Sequence, residues 1–419
     1  MSCPSQVIHV PKPFLTLTFI HRWVLLAALP LFCLANTAMA TPDDEDSEIE
    51  QLRAQLAVLT ARLDALESTP TIPAQSYAVP ETTATVSSAT SWAERIKLKG
   101  DFRYRHEAFD VEDRNERHRQ RIRARTELQA KINDRVQVGF GLATGGDDPI
   151  STNQTLDDGA SSKGVVVDLA YVSWETPVDG LGIKAGKFKN VFHRAGGNGL
   201  VWDGDLRPEG LGVQFNRGAF FANAATLWVD ESSSGEDSLL VGGQFGLNTS
   251  FDTASLRSGL GYYHYTDAKG RSAFFDGAAQ GNRTNPDGTY VSDFHLMEGF
   301  AEYQFETAHS KITLFADFVQ NLAADDYDTA WALGVKLKRA QLSLGWTYQD
   351  VEADSVLGTF SDSDFIGGGT DGEGHILQAG YALSKKIALK GTLFLNNRNV
   401  DFGQEEDFKR LMLDISYKY

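Results

Sequence analysis

Between residue 92 and the C-terminus, apolar and polar residues alternate with a period of two rather than 3.6. The runs IKLKGDFRYRHEAF, RIRARTELQAKI, GIKAGKF, HILQAGYAL, KIALKGTLFL and RLMLDISYKY all show it. Successive residues of a strand point to opposite faces, so each run predicts a strand with one apolar and one polar side. Sixteen such segments are expected, beginning near residues 96, 117, 136, 164, 182, 210, 219, 237, 254, 292, 311, 328, 341, 374, 386 and 408. At about 9 to 14 residues they exceed the usual soluble strand and suit strands tilted across a bilayer. Short connections at 133–134, 177–180, 216–218, 307–310, 339–340 and 384–385 alternate with long ones at 147–163, 189–209, 267–291 and 352–373. Short turns on one rim and long loops on the other predict an all-β fold, a transmembrane antiparallel β-barrel of about 16 strands over 92–419 with both ends in the periplasm. A soluble sandwich or propeller is the alternative; its strands would be shorter, and no blade repeat is visible.

The first 91 residues have another texture. A weakly basic start, an apolar run over 23–34 and the small-x-small triplet Ala38-Met39-Ala40 predict a signal peptide over 1–40. Residues 41–67 follow, in which Ile49, Leu52, Leu56, Leu59, Leu63 and Leu66 form a heptad seam. The seam predicts a short periplasmic α-helical coiled coil, with an amphipathic helix docked on the rest of the protein as the alternative. Residues 68–91, rich in Pro, Ser and Thr, read as a linker.

Both cysteines, Cys3 and Cys33, lie in the signal, so the exported chain is expected to hold no disulfide. The net charge of −17 becomes −19 without the signal, which carries two basic and no acidic residues. Such acidity argues against nucleic acid as a partner. No apolar run after the signal is long enough for a spanning helix. No metalloprotease, phosphate-loop or nucleophile-elbow motif occurs, so no enzyme, metal site or cofactor is expected. GGGTDGEG lacks the Lys-Ser/Thr of a phosphate loop and reads as a flexible extracellular loop. The seven histidines after the signal are scattered and read as lumen or loop residues.

Against this acidity stands ERHRQRIRARTELQAKIND, with arginine at 117, 119, 121, 123 and 125. In a strand these share one face with Glu127, Gln129 and Lys131, while Ile122, Ala124, Leu128 and Ile132 take the other. A lipid-facing arginine near the midplane costs roughly 2–4 kcal/mol, so the basic face must line the lumen. The preceding strand adds Lys97, Lys99, Asp101, Arg103, Arg105 and Glu107 to that face. A hairpin turning near Asp113 pairs residues whose numbers sum to 226, setting Arg105 opposite Arg121, Arg103 opposite Arg123, Asp101 opposite Arg125 and Lys99 opposite Glu127. The pore-lining candidates are therefore Lys97, Lys99, Arg103, Arg105, Arg119, Arg121, Arg123, Arg125 and Lys131. Two readings stay open: an ion-pair lattice that stiffens the wall, or a positive potential that favours anions. At the upper end, Arg117 and Arg119 could instead meet lipopolysaccharide phosphates.

The segments DLAYVSWETPVDGLGIKAGKFKNVF and GNGLVWDGDLRPEGLGVQF, with Gly186, Lys187, Trp202, Asp203, Asp205, Leu206, Glu209 and Gly210, resemble the putative porins of Gram-negative outer membranes, relatives of the phosphate-selective porin group. The resemblance implies an outer-membrane channel for passive diffusion of small hydrophilic solutes, and a homotrimer. The long loops are acidic or glycine-rich, which puts phosphate as the solute in doubt. Arg194, Asp203, Asp205 and Arg207 are candidates for a constriction loop folded into the lumen. An envelope protein that tethers the membrane to the cell wall through the coiled coil, and an outer-membrane hydrolase, are the alternative functions.

Overall fold

The computed structural model describes Ala57, which is helical, and residues 94–419 except Ser234. The signal, coiled-coil and linker expectations over 1–91 otherwise lie outside the described residues. The chain forms β1 (Ile96–Val111), β2 (Arg117–Lys131), β3 (Val136–Thr144), β4 (Gln154–Thr155), β5 (Val165–Glu175), β6 (Leu181–Lys187), β7 (Glu209–Arg217), β8 (Phe220–Asp230) and β9 (Ser238–Ser250). It continues with β10 (Ala254–Tyr265), β11 (His295–Glu306), β12 (Lys311–Asn321), β13 (Thr329–Arg339), β14 (Leu342–Val351), β15 (Gly372–Ala382), β16 (Ile387–Arg398) and β17 (Glu406–Lys418). Sixteen of these are wall strands, and each begins within three residues of its expected start. The two-residue β4 pairs with the upper part of β2, where the shorter β3 no longer reaches.

All pairings are antiparallel between neighbours, and β17 pairs with β1, so the sheet closes on itself. Closure satisfies the backbone groups that an open edge would leave bare, which a strand in hydrocarbon requires. Short turns gather on one rim with the start of β1 and the end of β17; this is the turn rim. The opposite rim carries the long loops. The turn at 132–135 is held by its own sequence, since Asn133 Oδ1 accepts the N–H groups of Arg135 and Val136 at 2.9 Å each.

Polarity is inverted relative to a soluble protein. Leu98, Trp228 and Leu260 are 58%, 54% and 53% exposed on the outer wall, whereas Glu107, Arg410 and Asp317 are 0%, 2% and 4% exposed inside. Water would not tolerate so large an apolar belt on a monomer; lipid is the solvent that fits it. The inner space near the loop rim is filled by 188–208, 266–294 and 352–371, whose Phe192, Trp202, Tyr290, Phe294, Leu357 and Phe365 join one buried cluster with wall residues such as Tyr263.

Two expectations are corrected here. GGGTDGEG is not an outlying extracellular loop: Gly369, Thr370 and Asp371 are buried, and a Cβ on Gly369 would lie 2.1 Å from the Gln280 carbonyl oxygen. Only glycine, here at φ +94°, permits that approach. Nor do the histidines keep to lumen and loops. His106, His264, His295 and His375 occupy outward positions of their strands, and His264 meets His295 across the ladder with ring centroids 4.3 Å apart.

The outer wall supplies a stability prediction. Leu260→Arg, at the middle of β10 on the outward face, should destabilise the barrel by roughly 2–4 kcal/mol in lipid vesicles, read by denaturant unfolding.

Candidate pore wall and loop constriction

The β1–β2 hairpin has the expected register: Arg105 pairs with Arg121, Arg103 with Arg123, Asp101 with Arg125 and Lys99 with Glu127. Its turn passes through Asp113 at φ 56°. Like charges directly opposite one another are unfavourable, and the hairpin's own Asp101, Glu107 and Glu127 offset only part of them. Three other places in the chain, β17 and the segments 188–208 and 352–371, supply the rest.

Glu107, on β1 itself, accepts Arg119 Nε at 2.6 Å and Arg410 Nη2 of β17 at 2.7 Å. Arg105 and Arg121 lie 3.6 and 3.9 Å from the same carboxylate. Asp414 of β17 takes Arg105 through two bonds, Nε at 2.6 Å and Nη2 at 3.0 Å. Asp364, from 352–371, receives Arg105 Nη1 at 3.2 Å and Arg410 Nη2 at 2.9 Å. Burial opposes ionisation there, yet Arg410, Arg105 and Arg103 hold the Asp364 carboxyl well below the usual range.

Lower on the wall, Asp101 and Asp205 face each other across two guanidinium groups. Arg123 gives 2.8 Å to Asp101 and 3.1 Å to Asp205; Arg125 gives 3.0 and 2.8 Å. Glu127 serves Lys99 at 3.4 Å and the loop residue Lys189 at 2.9 Å. Arg103 is different: it donates to the Asn153 side-chain oxygen, and among the described residues no carboxylate lies within 4.0 Å of it. Lys97 and Lys131 sit exposed at the turn rim.

The segment 188–208 packs against inward wall residues, and its four candidate residues have different partners. Asp205 alone reaches the arginine ladder. Arg194 turns back on its own loop, donating to the Asn198 and Trp202 carbonyls at 3.3 and 3.0 Å. Arg207 braces the loop base, donating to the Gly204 and Leu206 carbonyls and lying 3.4 Å from Asp168 of β5. Asp203 clips the two inward loops together, accepting the N–H of Asp205 at 2.6 Å and of Ser363 at 2.9 Å. Trp202 anchors the segment, stacked on Phe192 at 5.6 Å and edge-on to Tyr263 of β10 at 5.1 Å. Gly196 makes the tight bend at φ +56°, where a Cβ would sit 2.3 Å from the Phe315 ring.

Sequence reasoning missed Asp364 and Asn153. Neither carries a periodic signal, since both lie in irregular loops. Arg410 and Asp414 were legible as inward positions of the last strand; their partners follow only once β17 is closed onto β1.

A closed antiparallel barrel with a lipid-compatible exterior, a charged interior and loops folded into its mouth defines a porin-type channel of the outer membrane. The comparisons agree: the family model described as "Putative porin" matches residues 110–295 and 280–419, so the chain belongs to that family. In fold it is similar to Pseudomonas putida OprB in a high-pH structure, at 13% identity and TM-score 0.55, over 80% of this chain and 96% of that one. A triple mutant of the Rhodopseudomonas blastica porin aligns at 12% identity and TM-score 0.46, over 77% of this chain and 100% of that one. No curated protein matches the sequence. Family and fold point to a channel rather than an enzyme.

Two predictions test the site. Glu107→Gln leaves buried guanidinium groups without their acid and should cost roughly 3–5 kcal/mol of unfolding free energy, whereas Arg117→Gln, at an exposed position, should stay within about 0.5 kcal/mol. The second concerns pH. Burial, with repulsion from Asp362, pushes the Asp203 carboxyl up to about 7 against the pull of its two backbone donors. Because that value lies above the 3.8 of the free side chain, the closed loop keeps a proton that the opened loop gives up, so its stability is full in acid and is lost as pH rises from 3.8 through about 7. Hydrogen exchange of residues 200–206, corrected for intrinsic rate, should therefore speed up between about pH 5 and about pH 8 in the parent and stay flat in Asp203→Asn.

Proposed function

We propose that the channel passes small hydrophilic solutes by passive diffusion through a lumen whose candidate lining includes Lys97, Lys99, Arg103, Arg105, Arg119, Arg121, Arg123, Arg125 and Lys131. What supports this reading is the closed barrel with an inward wall of charged side chains, met by Asp205 of the segment 188–208 through Arg123 and Arg125. The arginine ladder acts mainly as scaffold, because Arg105, Arg119, Arg123 and Arg125 each face a carboxylate at 3.1 Å or less. Arg103, held by an amide alone, is the ladder residue with charge to spare for a passing anion.

The protein works as a homotrimer in contact with outer-membrane lipid and lipopolysaccharide, with residues 41–67 as a periplasmic coiled coil that supports assembly and can reach the cell wall. This follows from the heptad seam and the family. Kinship with the phosphate-selective group rests on the Trp202-Asp203-x-Asp205 stretch, and the acidic long loops weigh against phosphate as the solute. Planar-bilayer recording tests the channel, and protein that gave no conductance steps would refute it. Replacing Arg121 and Arg123 together by glutamine should lower stability and leave the cation-to-anion permeability ratio unchanged; a moved ratio at unchanged stability would make the ladder selective instead. Deletion of 48–66 should weaken the trimer in heated native gels.

A further inference from the structure

Away from the ladder, the wall near the turn rim holds four lysines, one on β12, two on β13 and one on β16. Lys311 of β12 lies opposite Lys338 of β13, and Lys336 opposite Thr313. On the next strand Ser343 pairs with Lys338 and Gly345 with Lys336. Beyond these, Gly380 pairs with both Ser343 and Lys390 of β16. Gly345 and Gly380 have no side chain to fill the space, and a Cβ on Gly380 would lie 2.5 Å from Ser343 Oγ. The result is a recess of about 310 Å³ lined by the four lysines, Thr313, Ser343 and Gln378.

The charge here is not balanced as it is on the ladder. Lys311 has one carboxylate, Glu306, at 4.0 Å, and that group is exposed. Lys336 donates to the Gly196 carbonyl of the constriction loop and lies 5.7 Å from the Phe315 ring, neither of which cancels its charge. Lys338 and Lys390 have no carboxylate within 4.0 Å among the described residues. Asp414, opposite Lys390 in the register, is taken by Arg105 at 2.6 Å. Lys311 and Lys338 stand opposite one another, Lys336 lies two residues along, and Lys390 closes the same row from β16 across Ser343 and Gly380; their mutual repulsion is relieved by a mobile anion with several acceptor oxygens. Lys311, Lys338 and Lys390 are exposed, so an anion in the lumen can reach them.

We propose that this lysine recess is an anion-binding site of the channel, taking a small oxyanion or dicarboxylate whose oxygens bridge Lys338 and Lys390, with Ser343 and Gln378 as neutral donors. The site gives anions a stopping place below the constriction loop, and it rests on the channel reading for its role but not for its binding. The test uses the full-length trimer in detergent, with inorganic phosphate and succinate titrated separately by calorimetry at low ionic strength and in added sodium chloride. Both should bind, and the Lys338→Gln, Lys390→Gln double variant should bind about tenfold more weakly. An Arg135→Gln, Arg217→Gln variant, which removes equal charge from exposed turns elsewhere on the same rim, should bind as the parent does. Absence of binding in the parent, or equal loss in both variants, would overturn the site; phosphate bound without succinate would narrow its ligand to oxyanions and uphold it. Retained unfolding midpoints show that the variants are folded. Binding without conductance would remove the channel reading and leave the recess, whereas conductance without binding would do the reverse.

Discussion

The barrel depends on matching charge inside a wall that must be apolar outside. Arginine cannot face hydrocarbon, so the alternation of β2 sends the guanidinium groups of Arg119, Arg121, Arg123 and Arg125 into the barrel, where each has lost part of its water. A buried ion left without its partner is costly by several kcal/mol. The carboxylates that meet this demand come from β1, from β17 and from two inward loops, which is why strand pairing, barrel closure and loop placement cannot be separated. Glu107 sits at the centre of this arrangement, fully buried and shared by guanidinium groups of β1, β2 and β17.

The same logic accounts for the loops. A segment such as 188–208 would be free to lie outside the mouth if it carried only polar residues. Trp202 makes exposure unfavourable, Asp205 gains two guanidinium partners by entering, and Asp203 ties the entry to the second loop. The Trp-Asp-x-Asp spacing combines these functions: the indole packs on aromatic rings, and the two carboxylates act in different directions, one toward the wall and one toward the neighbouring loop.

Much of this was legible in the sequence because a strand in a bilayer has a strict code. Outward positions must be apolar and inward ones need not be, so period two located all sixteen wall strands, and the turn at Asp113 set the hairpin register. The inward loops obey no such period. Asp364 could not be distinguished from any other acidic residue of FSDSDF, and the glycines of GGGTDGEG signalled freedom when they permit close packing against Gln280. The outward histidines were misplaced for a related reason: near the rims the code relaxes, and polar rings are tolerated on the outer face.

The seam between β1 and β17 carries a further consequence. Arg105 and Glu107 on the first strand meet Asp414 and Arg410 on the last, opposite signs in reversed order, more than 300 positions apart in the chain. A slip of two residues at closure would keep every side chain on its correct face and so escape the penalty from lipid. It would, however, move Arg105 away from Asp414, toward Met412 or Ser416, neither of which bears a charge. The stagger at which a barrel closes sets its shear, and shear with strand number sets its diameter. These charge pairs thus act as a gauge on the width of the pore, a quantity the apolar belt alone leaves undetermined.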